Sequence, residues 1–313
     1  MINRYKPEGS RISTIQNREY ISSAAGLEKA LEKQIILEAP AILCDHNFNL
    51  HVSLGGGISG IMPREECEFI RKDEEIKDIA ILTRVGKPVC FKILGFEKSE
   101  NGSTVAVLSR KAAQRECMLN YVSTLTAGDV IPARVTHLEN FGAFVDIGCG
   151  IISLLSIDCI SVSRIAHPSA RLSVGDSLFA VVKSIDERGR VYVTERELLG
   201  SWEENVSRFS EGQTVRGVVR SVESYGIFVE LTPNLAGLAE YKENVFPEQT
   251  AAVYIKSIIA DKMKVKLIII DTADEPIYRQ PLEYFIDPEE IKHIDKWTYS
   301  PPGCRKLIES SFG

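Results

Sequence analysis

Two stretches of this chain carry paired aromatic residues at one spacing, Phe141-Gly-Ala-Phe144 and Tyr225-Gly-Ile-Phe228. Rings held side by side offer a surface on which planar bases stack, a contact worth roughly 1–3 kcal/mol per base and nearly blind to sequence. In an unbroken strand, residues three apart point to opposite faces. Gly142 permits a bulge or a turn that brings both rings to one side. On spacing alone the core suits such a pair better than an exposed platform, and both readings stay open.

No constellation supports catalysis. His46 and His51 lie near Asp45 and Cys44, but that segment has the pattern of a strand rather than of a nucleophile or metal site. Gly55-Gly56-Gly57 lacks the Gly-Lys-Ser and the long helix of a phosphate loop and reads as a strand-to-strand turn. Seven cysteines without a C-x-x-C pair point to reduced, mostly buried thiols. An enzyme, a metal site and a cofactor are therefore not expected.

With 313 residues, 44% hydrophobic and 26% charged, the chain has the apolar mass to fold as two or three domains. A net charge of -6 excludes a protein that coats nucleic acid by bulk electrostatics. It leaves room for one that grips single strands by stacking. Apolar runs are too short for a membrane helix, and the first residues lack a signal-peptide core, so a cytoplasmic location is expected.

The elements that must position the rings repeat. Thr126 to Val135 leads into Asn140 to Gly148, and Ser210 to Val219 leads into Ser224 to Leu231, in the same order and at the same spacing. A diverged copy runs from Asp45 to Gly55 and continues through Gly60-Ile-Met-Pro-Arg-Glu. Each copy reads as about five short strands with Gly, Asp, Asn and Pro turns, which suits a small closed Greek-key barrel. Helical spacing predicts a helix over 24–34 and helical linkers over 113–125 and 197–210. The predicted fold is mainly β: three tandem five-stranded barrels over 31–112, 126–196 and 211–272, behind an extension with a short helix over 1–30. Residues 273–313 form a further extension whose Tyr284, Phe285, Ile286, Ile291, Ile294 and Trp297 could anchor it to the third barrel.

Asn140-Phe-Gly-Ala-Phe-Val-Asp-Ile-Gly148, the run from Arg164 to Asp176, and Ser184-Ile-Asp-Glu-Arg-Gly-Arg190 resemble the S-one RNA-binding repeat, named after the largest protein of the bacterial small ribosomal subunit. The resemblance covers roughly residues 31 to 272 and implies barrels of the OB type, in a short three-repeat relative. It also reverses the reading of the rings, since members of that family present them to RNA bases. On that basis Phe141, Phe144, Asp186 and Arg190 are expected to meet RNA, with Ser156 standing where the family has a histidine. Arg164, His167 and Arg171 could extend a basic lip, or be a solvated surface with a capping histidine. In the third repeat Tyr225 and Phe228 take the ring positions, Lys264 matches Arg190, and Glu240 replaces the histidine on a shortened loop. In the first repeat the ring positions fall on Phe48 and His51, and Asn49 replaces the glycine as a residue that tolerates left-handed backbone.

The resemblance implies a monomeric, non-catalytic protein that binds single-stranded messenger RNA at the ribosome and acts in translation. Its first repeat could meet small-subunit proteins. Two alternatives stand beside it: an RNA-binding regulator or RNA-decay accessory acting off the ribosome, and an adaptor whose barrels bind proteins.

Overall fold

The computed structural model describes residues 4–55, 57–70, 75–99, 102–275 and 282–313. Gly56 of the predicted turn lies outside them. Three closed barrels fill most of the chain. The first takes β1 (Leu37–Cys44), β2 (Leu50–Ser53), β3 (Ser59–Met62), β4 (Pro88–Lys98) and β5 (Thr104–Ser109). The second takes β6 (Val130–Glu139), β7 (Gly142–Asp146), β8 (Ile152–Ser156), β9 (Ser177–Ile185) and β10 (Val191–Thr194). The third takes β11 (Thr214–Glu223), β12 (Gly226–Thr232), β13 (Leu235–Ala239), β14 (Thr250–Ile259) and β15 (Lys264–Ala273).

All three share one strand order, first-second-third-fifth-fourth. The third and fifth strands pair in parallel, Gly60 beside Ala106, Leu154 beside Tyr192, and Leu238 beside Lys266. This is the Greek-key closure of an OB-type barrel. Alternation along the strands sends apolar side chains inward. In β15, Val265, Leu267 and Ile269 are buried, while Lys264, Lys266, Ile268 and Ile270 face out.

Among the described residues, five α-helices accompany the barrels: α1 (Ile15–Ile21), α2 (Ala24–Glu32), α3 (Asp78–Leu82), α4 (Arg110–Asn120) and α5 (Trp202–Val206). The predicted linkers differ in detail. Helix α4 starts at Arg110, inside the predicted first repeat, because the Ser109 hydroxyl accepts the Ala112 N–H and caps it there. The second linker yields only the short α5, closed by a reciprocal Ser201–Glu204 capping box. Its Trp202 belongs to the core of the third barrel.

The chain divides into two compact units. One takes the residues through Leu125 with Pro132–Arg134 and Asp146–Ile152; the other takes Thr126–Ile131, Val135–Val145 and Ser153–Gly313. In the first unit Glu8 is buried against Arg110, its Oε1 accepting from Arg110 Nε at 2.7 Å and from the Cys90 N–H at 3.0 Å. Burial alone would raise this carboxyl, but Arg110 and Arg84 beside it hold it at about 2. Asp146 accepts N–H bonds from Glu8, Gly148 and Gly150, and burial, with the charge of Glu8, pushes it up.

In the second unit the C-terminal segment covers two barrels rather than the third alone. Tyr284 Oη accepts the Phe179 N–H at 3.0 Å and donates to Glu195 at 3.0 Å, and the Ile294 N–H donates to Gly128 O at 2.9 Å. Tyr299 donates to Asn234 O in the third barrel, where Trp297 also packs on the core. A two-stranded sheet of β16 (Lys296–Thr298) and β17 (Glu309–Ser311) ends the segment. Of the predicted anchors, Ile291 is 40% exposed and serves no such role.

Glu195 is fully buried, and burial pushes it up to about 8 even though Tyr284 donates to it. The unfolded carboxyl ionises near 4.5, so folding takes up a proton between about pH 5 and 8. Each unit of rising pH across that window then opposes folding by about 1 kcal/mol, and the cost levels off above pH 8. Glu195→Gln, which keeps the acceptor for Tyr284, should flatten this slope. Urea melts followed by Trp202 fluorescence at pH 6 and pH 9 test it, and an unchanged slope would count against the assignment.

Candidate nucleic-acid interface

The hairpin from β6 to β7 turns through Asn140-Phe141, so Phe141 sits in the turn and not in the strand. This is what brings it to the side of Phe144. Phe141 is 54% exposed, Phe144 is half-buried, and their centroids lie 6.0 Å apart at 89°. An edge-to-face contact of this kind fixes both rings. Gly142 is required by close approach, because a Cβ there would stand 2.4 Å from Leu155 O. Gly142→Ala should therefore destabilise the second barrel by about 1–3 kcal/mol, measurable as a lowered urea midpoint; an unchanged midpoint would show that β7 and β8 can part cheaply.

His137 stacks on Phe144, centroids 6.3 Å apart at 21°, and its Nε2 lies 2.8 Å from Glu139. It was not among the predicted site residues. Counting back across a two-residue turn pairs 139 with 142 and 137 with 144, so hairpin arithmetic contained the signal. The same arithmetic holds in the third barrel, where Glu223 pairs with Gly226 and Ser221 with Phe228.

Beyond the rings, Tyr192 pairs with Leu154 and is half-buried. Asp186 Oδ1 accepts the Arg188 and Arg190 N–H groups at 2.9 and 2.8 Å, so its carboxylate shapes the turn between β9 and β10. Arg190 is exposed on that turn, and Ser156 ends β8 half-buried. Arg164 is exposed, whereas His167 Nδ1 accepts the Ser169 N–H and caps a short 3-10 turn. Arg171 is withdrawn from the expected lip. Its side chain is 5% exposed and bound to Glu230, with Arg171 Nη1 donating to Glu230 Oε1 at 2.8 Å. Glu230 is buried on β12, and a buried carboxylate left without cationic partners would be costly.

The third barrel repeats the ring geometry. Tyr225 is 68% exposed in its turn, and its centroid lies 6.2 Å from that of Phe228 at 86°. A Cβ on Gly226 would lie 2.6 Å from Ala239 O, the counterpart of the contact at Gly142. Lys264 is exposed at the head of β15. Register places Phe228 beside Leu238 and Leu238 beside Lys266, so Lys266 rather than Lys264 lies in the row of the ring. It occupies the place Tyr192 holds in the second barrel.

The first barrel lacks the pair. Asp45 Oδ1 accepts the N–H groups of Asn47 and Asn49, closing a tight loop in which Phe48, not Asn49, adopts φ +61. Phe48 packs on the core, with the Arg64 guanidinium 5.9 Å from its ring centre. His51 Nε2 lies 3.2 Å from Asp45 Oδ2, and among the described residues no ring contact joins it to Phe48. Partial burial opposes it, but bonds from Asn49 and His51 draw the Asp45 carboxyl down to about 2.

The strand order is that of an OB-type barrel, a fold class that takes oligonucleotides or oligosaccharides on its second and third strands. Residues 124–195, which take in the second barrel, match the model of the S1 RNA binding domain. The chain is similar to small ribosomal subunit protein bS1 of Leuconostoc lactis, 34% identical over 55% of this chain and 41% of that protein. It is also similar to bS1 of Pseudomonas aeruginosa, 31% identical over 59% of this chain and 34% of that one. With bS1 of Rhodopseudomonas palustris it shares 27% identity over 77% of this chain and 43% of that one. The matches thus span less than half the length of these relatives. Among the described residues no group of three or more His, Cys, Asp or Glu is arranged to hold a metal ion, and no helix is long and apolar enough to cross a membrane.

Proposed function

We propose that this protein binds single-stranded RNA through the ring pairs of its second and third barrels, without catalysis, and does so on messenger RNA at the small ribosomal subunit. The observation that carries the reading is the duplicated pair, one exposed ring locked edge-to-face on a half-buried one at the same turn of two barrels. Stacking needs neither cofactor nor metal, and it tolerates a chain of net charge -6 because the rings contribute what a positive surface otherwise would. The likeness to bS1 supports the ribosomal setting.

Fluorescence anisotropy with labelled single-stranded and duplex RNA tests the first part. Clear preference for the single strand is expected, with a salt dependence matching only about two phosphate contacts. Equal affinity for both forms would overturn it. Co-sedimentation with small subunits tests the setting, and failure there would favour an RNA-binding role off the ribosome.

A second reading concerns the first barrel alone. It lacks the ring pair and exposes Ile42, Leu43, Ile79 and Leu82, a surface suited to protein contact. Charged substitutions at Ile42 and Ile79 that leave ribosome association intact would count against it.

A further inference from the structure

Away from the ring pairs, the outer face of β11 and β12 forms one wall of a cavity of about 280 Å³ in the second unit. Four arginines line it, and four glutamates pair with them, Glu230 and Glu283 from the lining and Glu248 and Glu275 from beside it. Two of the four are structural. Arg171 and Arg220 are each 5% exposed and share Glu230, with Arg220 also bonded to Glu248. They form a satisfied floor.

The other two differ. Arg208 donates to Glu283 at 2.8 Å and lies 4.4 Å from the centre of the Phe285 ring, which fixes the plane of its guanidinium. Arg216 donates to Glu275 at 2.7 Å. Both glutamates are more than 60% exposed. Exposed pairs of this kind contribute little net stability, so an anion with better geometry can replace them. A phosphate fits: its oxygens match the guanidinium fork, and its charge exceeds that of a carboxylate.

We propose that this cavity is a phosphate-binding site, with Arg208 and Arg216 as the ligating residues and Glu283 and Glu275 as internal anions that a bound phosphate displaces. The volume suits a phosphate ester of about mononucleotide size. The phosphate could belong to a free mononucleotide or to the backbone of an RNA strand, and the site stands independently of the ring pairs.

Calorimetric titration of the full chain with inorganic phosphate, adenosine monophosphate and a ten-residue oligouridylate tests it. Arg208→Gln/Arg216→Gln should weaken phosphate-dependent binding about tenfold or more. Glu275→Gln/Glu283→Gln, which frees both arginines, should tighten it several-fold. Phe141→Ala/Tyr225→Ala should leave inorganic phosphate binding unaffected, which separates this site from base stacking. Binding of the monophosphate identifies a free nucleotide as the source; an arginine-dependent effect on the oligomer alone identifies the RNA backbone. If none of the three responds to Arg208→Gln/Arg216→Gln while Trp202 fluorescence reports an intact fold, or if the glutamate variant binds no tighter, the proposal fails.

Discussion

Phe141→Ala/Tyr225→Ala is expected to lower affinity for an unstructured RNA by about 2–6 kcal/mol, taking roughly 1–3 kcal/mol for each ring removed. These are the exposed members of each pair, 54% and 68% accessible, so their removal costs the fold little. Phe144 and Phe228 are half-buried, and their truncation would mix lost stacking with lost packing. One strand spanning both barrels binds the second at high effective concentration, so disabling one barrel should lose more than its own share. Anisotropy at fixed salt, with far-UV circular dichroism as the control, measures the effect. A change below about threefold with the fold intact would mean that the rings are structural and that the RNA reading is wrong.

The second large effect is on stability. Arg110→Met should destabilise the first unit by about 3–5 kcal/mol, because it leaves the buried Glu8 carboxylate facing only Arg84 at 3.5 Å. The loss should depend on pH with a definite sign. In the native protein Glu8 is held low, so its contribution is present above about pH 4.5 and fades as pH falls toward 2. In the variant Glu8 can take up a proton, so the deficit should be large at pH 7 and shrink near pH 4. Both tryptophans, Trp202 and Trp297, lie in the second unit, so hydrogen exchange at first-unit amides is the appropriate probe. Equal losses at both pH values would show that charge burial is not the cause.

The barrels were legible in the sequence because strand alternation and Gly-plus-polar turns are local signals, written three times over. The exposed ring of each pair was legible only through family resemblance, since spacing alone favoured the core. What could not be read was set by contacts distant in sequence. Arg171 looked like a surface cation until Glu230, 59 residues on, proved to hold it. Glu8 and Arg110 are 102 residues apart and show no motif. Asn49 was the better candidate for left-handed backbone by residue type, yet the two N–H groups drawn to Asp45 impose that conformation on Phe48. His137 and Lys266 followed from hairpin and strand register, which becomes countable only once the turn is placed.

The segment that closes over the second barrel bears on how the protein is made. Tyr284, which ties down the backbone at Phe179, is specified 105 residues later. At about 5–20 residues per second of translation, the second barrel waits roughly 5–20 s for its cover. During that interval the Phe179 edge lacks its cover, and the third barrel is synthesised in the meantime. Tandem repeats are commonly pictured as beads that mature one after another, each complete before the next leaves the ribosome. Here the second bead can close on its own strands by Thr194, but its edge at Phe179 stays uncovered until the third has been made, and arrested nascent chains ending before Tyr284 should leave that edge protease-sensitive.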